Sequence, residues 1–158
     1  MAPTSGTAKI CGVNVAEDPV KAKALLGYVA DTPDVYEKLT AREILEFVAD
    51  LRRMDRRRAA SRIQELLALF ELVDRQDDLL GGYSHGMKQK VCIACGLLSE
   101  PKVLFLDEPT VGLDPRSARL IKDVLRKGAD ASLEDLFLKL TGGEEYKELI
   151  RHLSGGER

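Results

Sequence analysis

A chain of 158 residues with 44% hydrophobic and 32% charged residues has the make-up of one folded domain with a buried core, which excludes a disordered or low-complexity tract. A formal net charge of −2 gives no basic field for nucleic acid. No apolar run is long enough to span a bilayer, and the opening MAPTSGTAK lacks the basic-then-apolar layout of a secretory signal, so a cytoplasmic location is the expectation.

In chain order, TAKICGVNV (7–15) reads as a short strand pair or bent strand around Gly12. LGYVA (26–30) is a second strand, followed by the turn-rich DTPDVYEKL. Thr40-Ala-Arg-Glu43 is a capping box opening a helix, with Ile44, Leu45, Phe47, Val48 and Leu51 on its inward face. Asp55 starts another helix, with Ile63, Leu66, Leu67 and Phe70 inward. Arg52, Arg53, Arg56, Arg57, Arg58 and Arg62 cluster there and read as a solvated helix face; the alternative, a contact with anionic lipid or nucleic acid, has no aromatic support. Gly81-Gly82 is a loop, and Ser84 caps a helix from about Met87 to Leu98. Within it Cys92 and Cys95 form a C-x-x-C deep in the apolar VCIACGLL, where small core side chains fit better than a redox or metal pair.

Pro101 punctuates, and Lys102 to Leu106 is a short strand, apolar on both faces, expected to be central, parallel and covered on each side. A helix follows from Pro115 to about Leu125. Ser132-Leu-Glu-Asp135 caps a further helix that ends at Gly142-Gly143, and EEYKELIRHL is a last amphipathic helix. The terminal LSGGER reads as a flexible glycine-rich tail.

The chemistry sits where VLFL ends in Asp107 and Glu108. Ligands bind at the carboxyl edge of parallel strands. An aspartate there can hold magnesium, a hard cation that takes oxygen ligands. A glutamate can orient and deprotonate a water for in-line attack on a terminal phosphate. A helix-capping acid pair is the alternative for such a dipeptide alone. Two neighbours weigh against it. Upstream, YSHGMKQ is a small-residue turn at a helix start, offering N–H groups and a serine hydroxyl to an anion. Downstream, GLDP puts a second acid on a tight loop.

The order YSHGMKQK, VLFLDEPT, VGLDP resembles the ATP-binding subunit of an ABC transporter, whose signature motif, Walker B and D-loop stand in that order. The ending SLEDLFLKLTGG resembles ATPases of ABC-2-type exporters. The resemblance covers nearly the whole chain. It implies an α/β fold: a partial P-loop NTPase, helix-rich, with a helical subdomain and a small residual sheet. In one incomplete domain, 1–158, residues 32–98 would form the helical and signature part, 99–126 Walker B and D-loop, and 132–158 C-terminal helices.

By position, the resemblance assigns Ser84 and Gly86 to the γ-phosphate of a partner's ATP, Asp107 to magnesium and Glu108 to the general base. It assigns Asp114 to communication across a dimer. Asp31 stands where the family has its Q-loop glutamine, and His85 where it has a signature glycine. ATP and Mg2+ are the implied cofactors. A transmembrane permease and a second ATPase subunit, identical or different, are the implied partners, at the inner face of the plasma membrane and without nucleic acid.

Two family parts have no counterpart in these 158 residues. There is no G-x-x-x-x-G-K-[ST] and no Gly-Lys dipeptide at all, and no apolar strand followed by a histidine lies between LIKDVLRKGAD and SLEDLF. The expectation is a shortened member that does not hydrolyse ATP alone. The alternative is a non-catalytic module lending its signature turn to an intact partner. Strand 102–106 would then have LGYVA on one side and an open apolar edge on the other, leaving the isolated chain sticky.

Overall fold

The computed structural model describes residues 5–111 and 113–128, except the side chains of 125–128. The expected helices in 132–158, the LSGGER tail and Gly112 lie outside the described residues. The chain divides into two compact units, Met1–Asp114 and Pro115–Arg158.

The first unit opens with a hairpin, β1 (Lys9–Ile10) antiparallel to β2 (Val13–Asn14). Its turn residues Cys11 and Gly12 have φ of 46° and 83°, the double left-handed conformation that matches strand twist in a two-residue hairpin. A short helix α1 (Pro19–Ala24) follows, unforeseen from the sequence. Its signals are local: Asp18 caps the Lys21 N–H and Pro19 occupies the first helical position.

Strand β3 (Leu26–Val29) pairs in parallel with β4 (Val103–Leu106), Leu26 opposite Val103 and Val29 opposite Leu106. The sheet so formed has these two strands only, among the described residues. The parallel sense matches expectation; coverage on both faces does not. Helix α4 (His85–Leu97) covers one face, where Gly27 and Gly96 let backbones approach: a Cβ on Gly27 would lie 2.4 Å from the Gly96 oxygen. On the other face Tyr28 and Phe105, register partners, are 62% and 53% exposed. The expected open edge of β4 stands among the described residues, where β3 is its one ladder partner; the open aromatic face was not expected.

Between the strands in sequence runs a helical layer. Helix α2 (Ala41–Leu51) begins with the complete Thr40/Glu43 capping box. Helix α3 (Arg56–Leu69) begins at Asp55, which accepts from the Arg57 and Arg58 N–H groups. Leu45, Leu66, Leu67, Phe70, Leu80 and Ile93 are fully buried in the core of this unit. The inward face of α2 differs from expectation. Ala41, Ile44, Leu45 and Ala49 are buried, whereas Phe47 and Leu51 are exposed. Small alanines let α2 approach its neighbours, so side-chain size misled the choice of face.

The arginine cluster is not one solvated face. Arg62 is buried, 3.1 Å from Glu65 and 3.7 Å from Glu100. Arg58 also pairs with Glu100. Arg52 donates to the Lys23 and Leu26 carbonyls at 2.9 and 3.1 Å. In the second unit, helix α5 (Pro115–Gly128) starts at the expected proline.

Candidate nucleotide site

The parallel register brings three acids to one sheet edge. Leu106 pairs with Val29, and the Asp107 N–H extends the ladder to the Val29 carbonyl at 3.0 Å. Asp107 is one residue past β4, Glu108 two, and Asp31 two past β3. All three are exposed. The Asp31 carboxylate accepts from the Thr32 N–H at 2.7 Å. Glu108 adopts φ 40°, left-handed for a residue that precedes a proline, and its carbonyl accepts from the Val111 N–H at 3.1 Å. That backbone breaks the strand alternation and turns the chain away from the edge; non-glycine residues held this way concentrate at functional sites. Asp114 is exposed at the end of the first unit.

Ser84 and Gly86 belong elsewhere in the same unit. Ser84 is the N-cap of α4, and its Oγ accepts from the Met87 N–H at 3.3 Å, leaving the hydroxyl proton to donate. First-turn N–H groups, Gly86's among them, have no acceptor within their own helix. His85 is exposed beside them. Gly96 packs on β3, so the helix rise places Ser84 about 18 Å along the axis from that contact.

Several residues that build the Ser84 turn carry no motif. Tyr83 is buried and donates its hydroxyl to the Arg75 carbonyl at 2.5 Å, with the Arg75 guanidinium 5.9 Å from its ring centre. Burial raises the Tyr83 pKa. Lys88, one turn into α4, bonds Glu37 at 2.7 Å and holds that carboxyl below its usual range. The Gly81 N–H donates to the Glu37 carbonyl and the Leu80 N–H to the Leu39 carbonyl. The segment leaving Asp31 is thus sewn to the loop that ends at Ser84. These pairs lie 51 residues apart for Lys88–Glu37, beyond any local pattern.

The donor set fits magnesium only as a shared ligand. No group of three or more His, Cys, Asp or Glu side chains is arranged to hold a metal ion among the described residues. Magnesium is ordinarily held by one or two carboxylates together with substrate phosphates, and Asp107 with Asp31 can supply that share. Cys92 and Cys95 do not contribute: burial raises them to about 11 and about 12, the reverse of an activated thiol.

Two parallel strands with helices inserted between them in sequence, acids at their carboxyl edge and a serine-capped helix start define an α/β protein. The ABC transporter family model matches residues 1–111. The chain is 43% identical over 112 residues to the daunorubicin resistance ATP-binding protein DrrA2 of Streptomyces coeruleorubidus, covering 71% of this chain and 35% of that protein. It is 38% identical over 129 residues to the daunorubicin/doxorubicin resistance ATP-binding protein DrrA of Streptomyces peucetius, covering 82% and 39%. A solved structure, described as the ATP binding subunit of an ABC transporter, superposes with a TM-score of 0.71 at 34% identity, covering 82% of this chain and 54% of that one. The chain belongs to the ATP-binding subunits of ABC transporters, and it spans 35% and 39% of the length of the two curated relatives named.

Proposed function

We propose that these residues form the magnesium-and-water half of an ATP site together with a signature turn that serves a second site, in a subunit that drives a membrane permease. The observation that carries the reading is the parallel register, which gathers Asp31, Asp107 and Glu108 at one edge while Ser84 starts a helix elsewhere. Asp107 would hold magnesium, and Asp31 would support a water there. Magnesium, when bound, neutralises charge between the β- and γ-phosphates. Glu108 takes the proton of the attacking water. Ser84 and Gly86 donate to the γ-phosphate of a partner's nucleotide, and Asp114 lies toward the dimer. The helical and signature part spans 32–98 and the Walker B and D-loop part 99–126. The working location is the cytoplasmic face of the membrane.

No Gly-Lys dipeptide occurs in the 158 residues, so they hold no lysine of the P-loop kind for the β-phosphate. This supports a second reading, in which the chain lends Ser84 and Gly86 to an intact ATPase without hydrolysing ATP itself. Titration of the purified chain with ATP and magnesium is expected to give binding no stronger than weak background. Micromolar, magnesium-dependent binding that survives Glu108→Gln would overturn the half-site. Mixing with an intact homologous ATPase separates the readings. A change in turnover that Ser84→Ala removes supports the lent signature; unchanged turnover rejects it.

A further inference from the structure

The fixed cations around the Ser84 turn are all committed to acids. Lys88, one turn into α4, closes on Glu37 at 2.7 Å. Lys90 is buried and lies 3.9 Å from Glu71, just past the end of α3. Arg75, in the stretch before Ser84, pairs with Asp78 and lies over the Tyr83 ring. Asp77 beside it is taken by Arg42. The first turn of α4 contains no acid. Of the titratable side chains from Tyr83 to Lys90, only His85 has no hydrogen bond or ion pair among the described residues, and it is exposed.

His85 is the first helical residue after the Ser84 cap. Side chains on a helix lean toward its N-terminus. A ring at this position is thus carried toward the end where the Ser84 hydroxyl and the first-turn N–H groups have protons to donate. The signature motif of the family has glycine in this place, which supplies an N–H and no side chain. Histidine keeps the N–H and adds a ring that donates one hydrogen bond when neutral and two when protonated.

We infer that His85 is a further contact of this turn with the terminal phosphate of a nucleotide, one that strengthens as pH falls, resting on the reading of Ser84 and Gly86 as phosphate donors. The sign follows from charge. A phosphate beside the ring favours imidazolium over imidazole, so binding takes up a proton. A complex that holds more protons than its separated parts is tighter at low pH and loosens as pH rises through the range where the ring gives its proton up. Histidine is the side chain that changes charge between about pH 5 and 8. Lysine, arginine and carboxylate side chains such as those around the turn do not change charge there, which leaves His85 as the switch. Exposure keeps the ring within reach of a second molecule, as a signature that serves a partner's nucleotide requires.

Two measurements on the full chain test this. In the first, the imidazole C2 proton of His85, identified by its loss in His85→Gln, is followed by NMR through a pH titration. Tripolyphosphate is expected to raise the midpoint by about half a unit over sodium chloride at matched ionic strength, one unit being a tenfold affinity ratio. An unmoved midpoint overturns the inference. In the second, the chain is mixed with an intact homologous ATPase and its effect on turnover is compared at about pH 6 and about pH 8. That effect should be several-fold larger at the lower pH, and His85→Gln should abolish the difference while circular dichroism stays unchanged. The variant shares the titration of the nucleotide and of the homologue, so the comparison isolates the imidazole. The same pH profile in both chains overturns the inference. A chain that leaves turnover unchanged at either pH, with the NMR midpoint raised, rejects only the lent signature and keeps His85 as a phosphate contact.

Discussion

Cys92 and Cys95 illustrate how one pattern of letters takes its chemistry from its surroundings. Both lie inside α4, not at its start, and burial raises their thiols to about 11 and about 12. Cys11 lies on the exposed hairpin turn. With a disulfide-forming chromogenic reagent near neutral pH, Cys11 is expected to react promptly and the half-buried α4 pair much more slowly until the chain unfolds. Two fast thiols would refute the packing described for α4. The pH dependence has a definite sign. A thiol raised in the folded state contributes stability that is complete below its unfolded value of 9.0. That stability falls as pH climbs from there through about 11 and 12, because only the unfolded chain releases the protons. Replacing both cysteines with alanine should flatten this alkaline loss in urea titrations across that range.

At the scale of elements, the contact that matters most is α4 on β3. A Cβ on Gly27 would sit 2.4 Å from the Gly96 oxygen and 2.7 Å from Leu104 Cδ1; one on Gly96 would sit 2.8 Å from Val29 Cγ2. The first clash is with backbone, which no rotamer change relieves. Gly27→Ala is expected to destabilise the unit by about 1–3 kcal/mol in chemical denaturation. It should also disturb the approach of the helix that carries Ser84. An unchanged midpoint would show that α4 does not lie this close. This contact was not legible in the sequence, where Gly27 and Gly96 look like weak points in a strand and a helix. The Thr40/Glu43 capping box and the Asp55 cap were legible, because both act within four residues. The α1 start at Asp18-Pro19 carries the same kind of signal, but six residues are too few for an apolar period to accompany it.

At the scale of the whole described molecule, the exposed sheet face dominates the expected behaviour. Tyr28 and Phe105 lie side by side and largely open, and β4 has its only ladder partner, among the described residues, in β3. Such an apolar strand edge templates association. The dilute chain is expected to self-associate with rising concentration in sedimentation velocity. Tyr28→Thr with Phe105→Thr should reduce that tendency while leaving the α2–α4 core in place. A chain that stays monomeric at high concentration with both aromatics present would refute this.

The sequence by itself determined the family, the identity of the acids and the signature serine, and the starts of α2, α3 and α4. Each depends on residues close together in the chain: strand-end carboxylates, capping side chains, a proline. Only the tertiary structure decided which residues those elements bring together. It set Asp31 beside Asp107 and Glu108 through the register of two strands more than seventy residues apart. It tied Glu37 to Lys88, and it turned Arg52, Arg58 and Arg62 inward while leaving Arg53, Arg56 and Arg57 at the tip. The physical reason is the same in each case. Backbone pairing and close packing act between segments distant in sequence, and no periodicity or short motif encodes which partner a surface will meet.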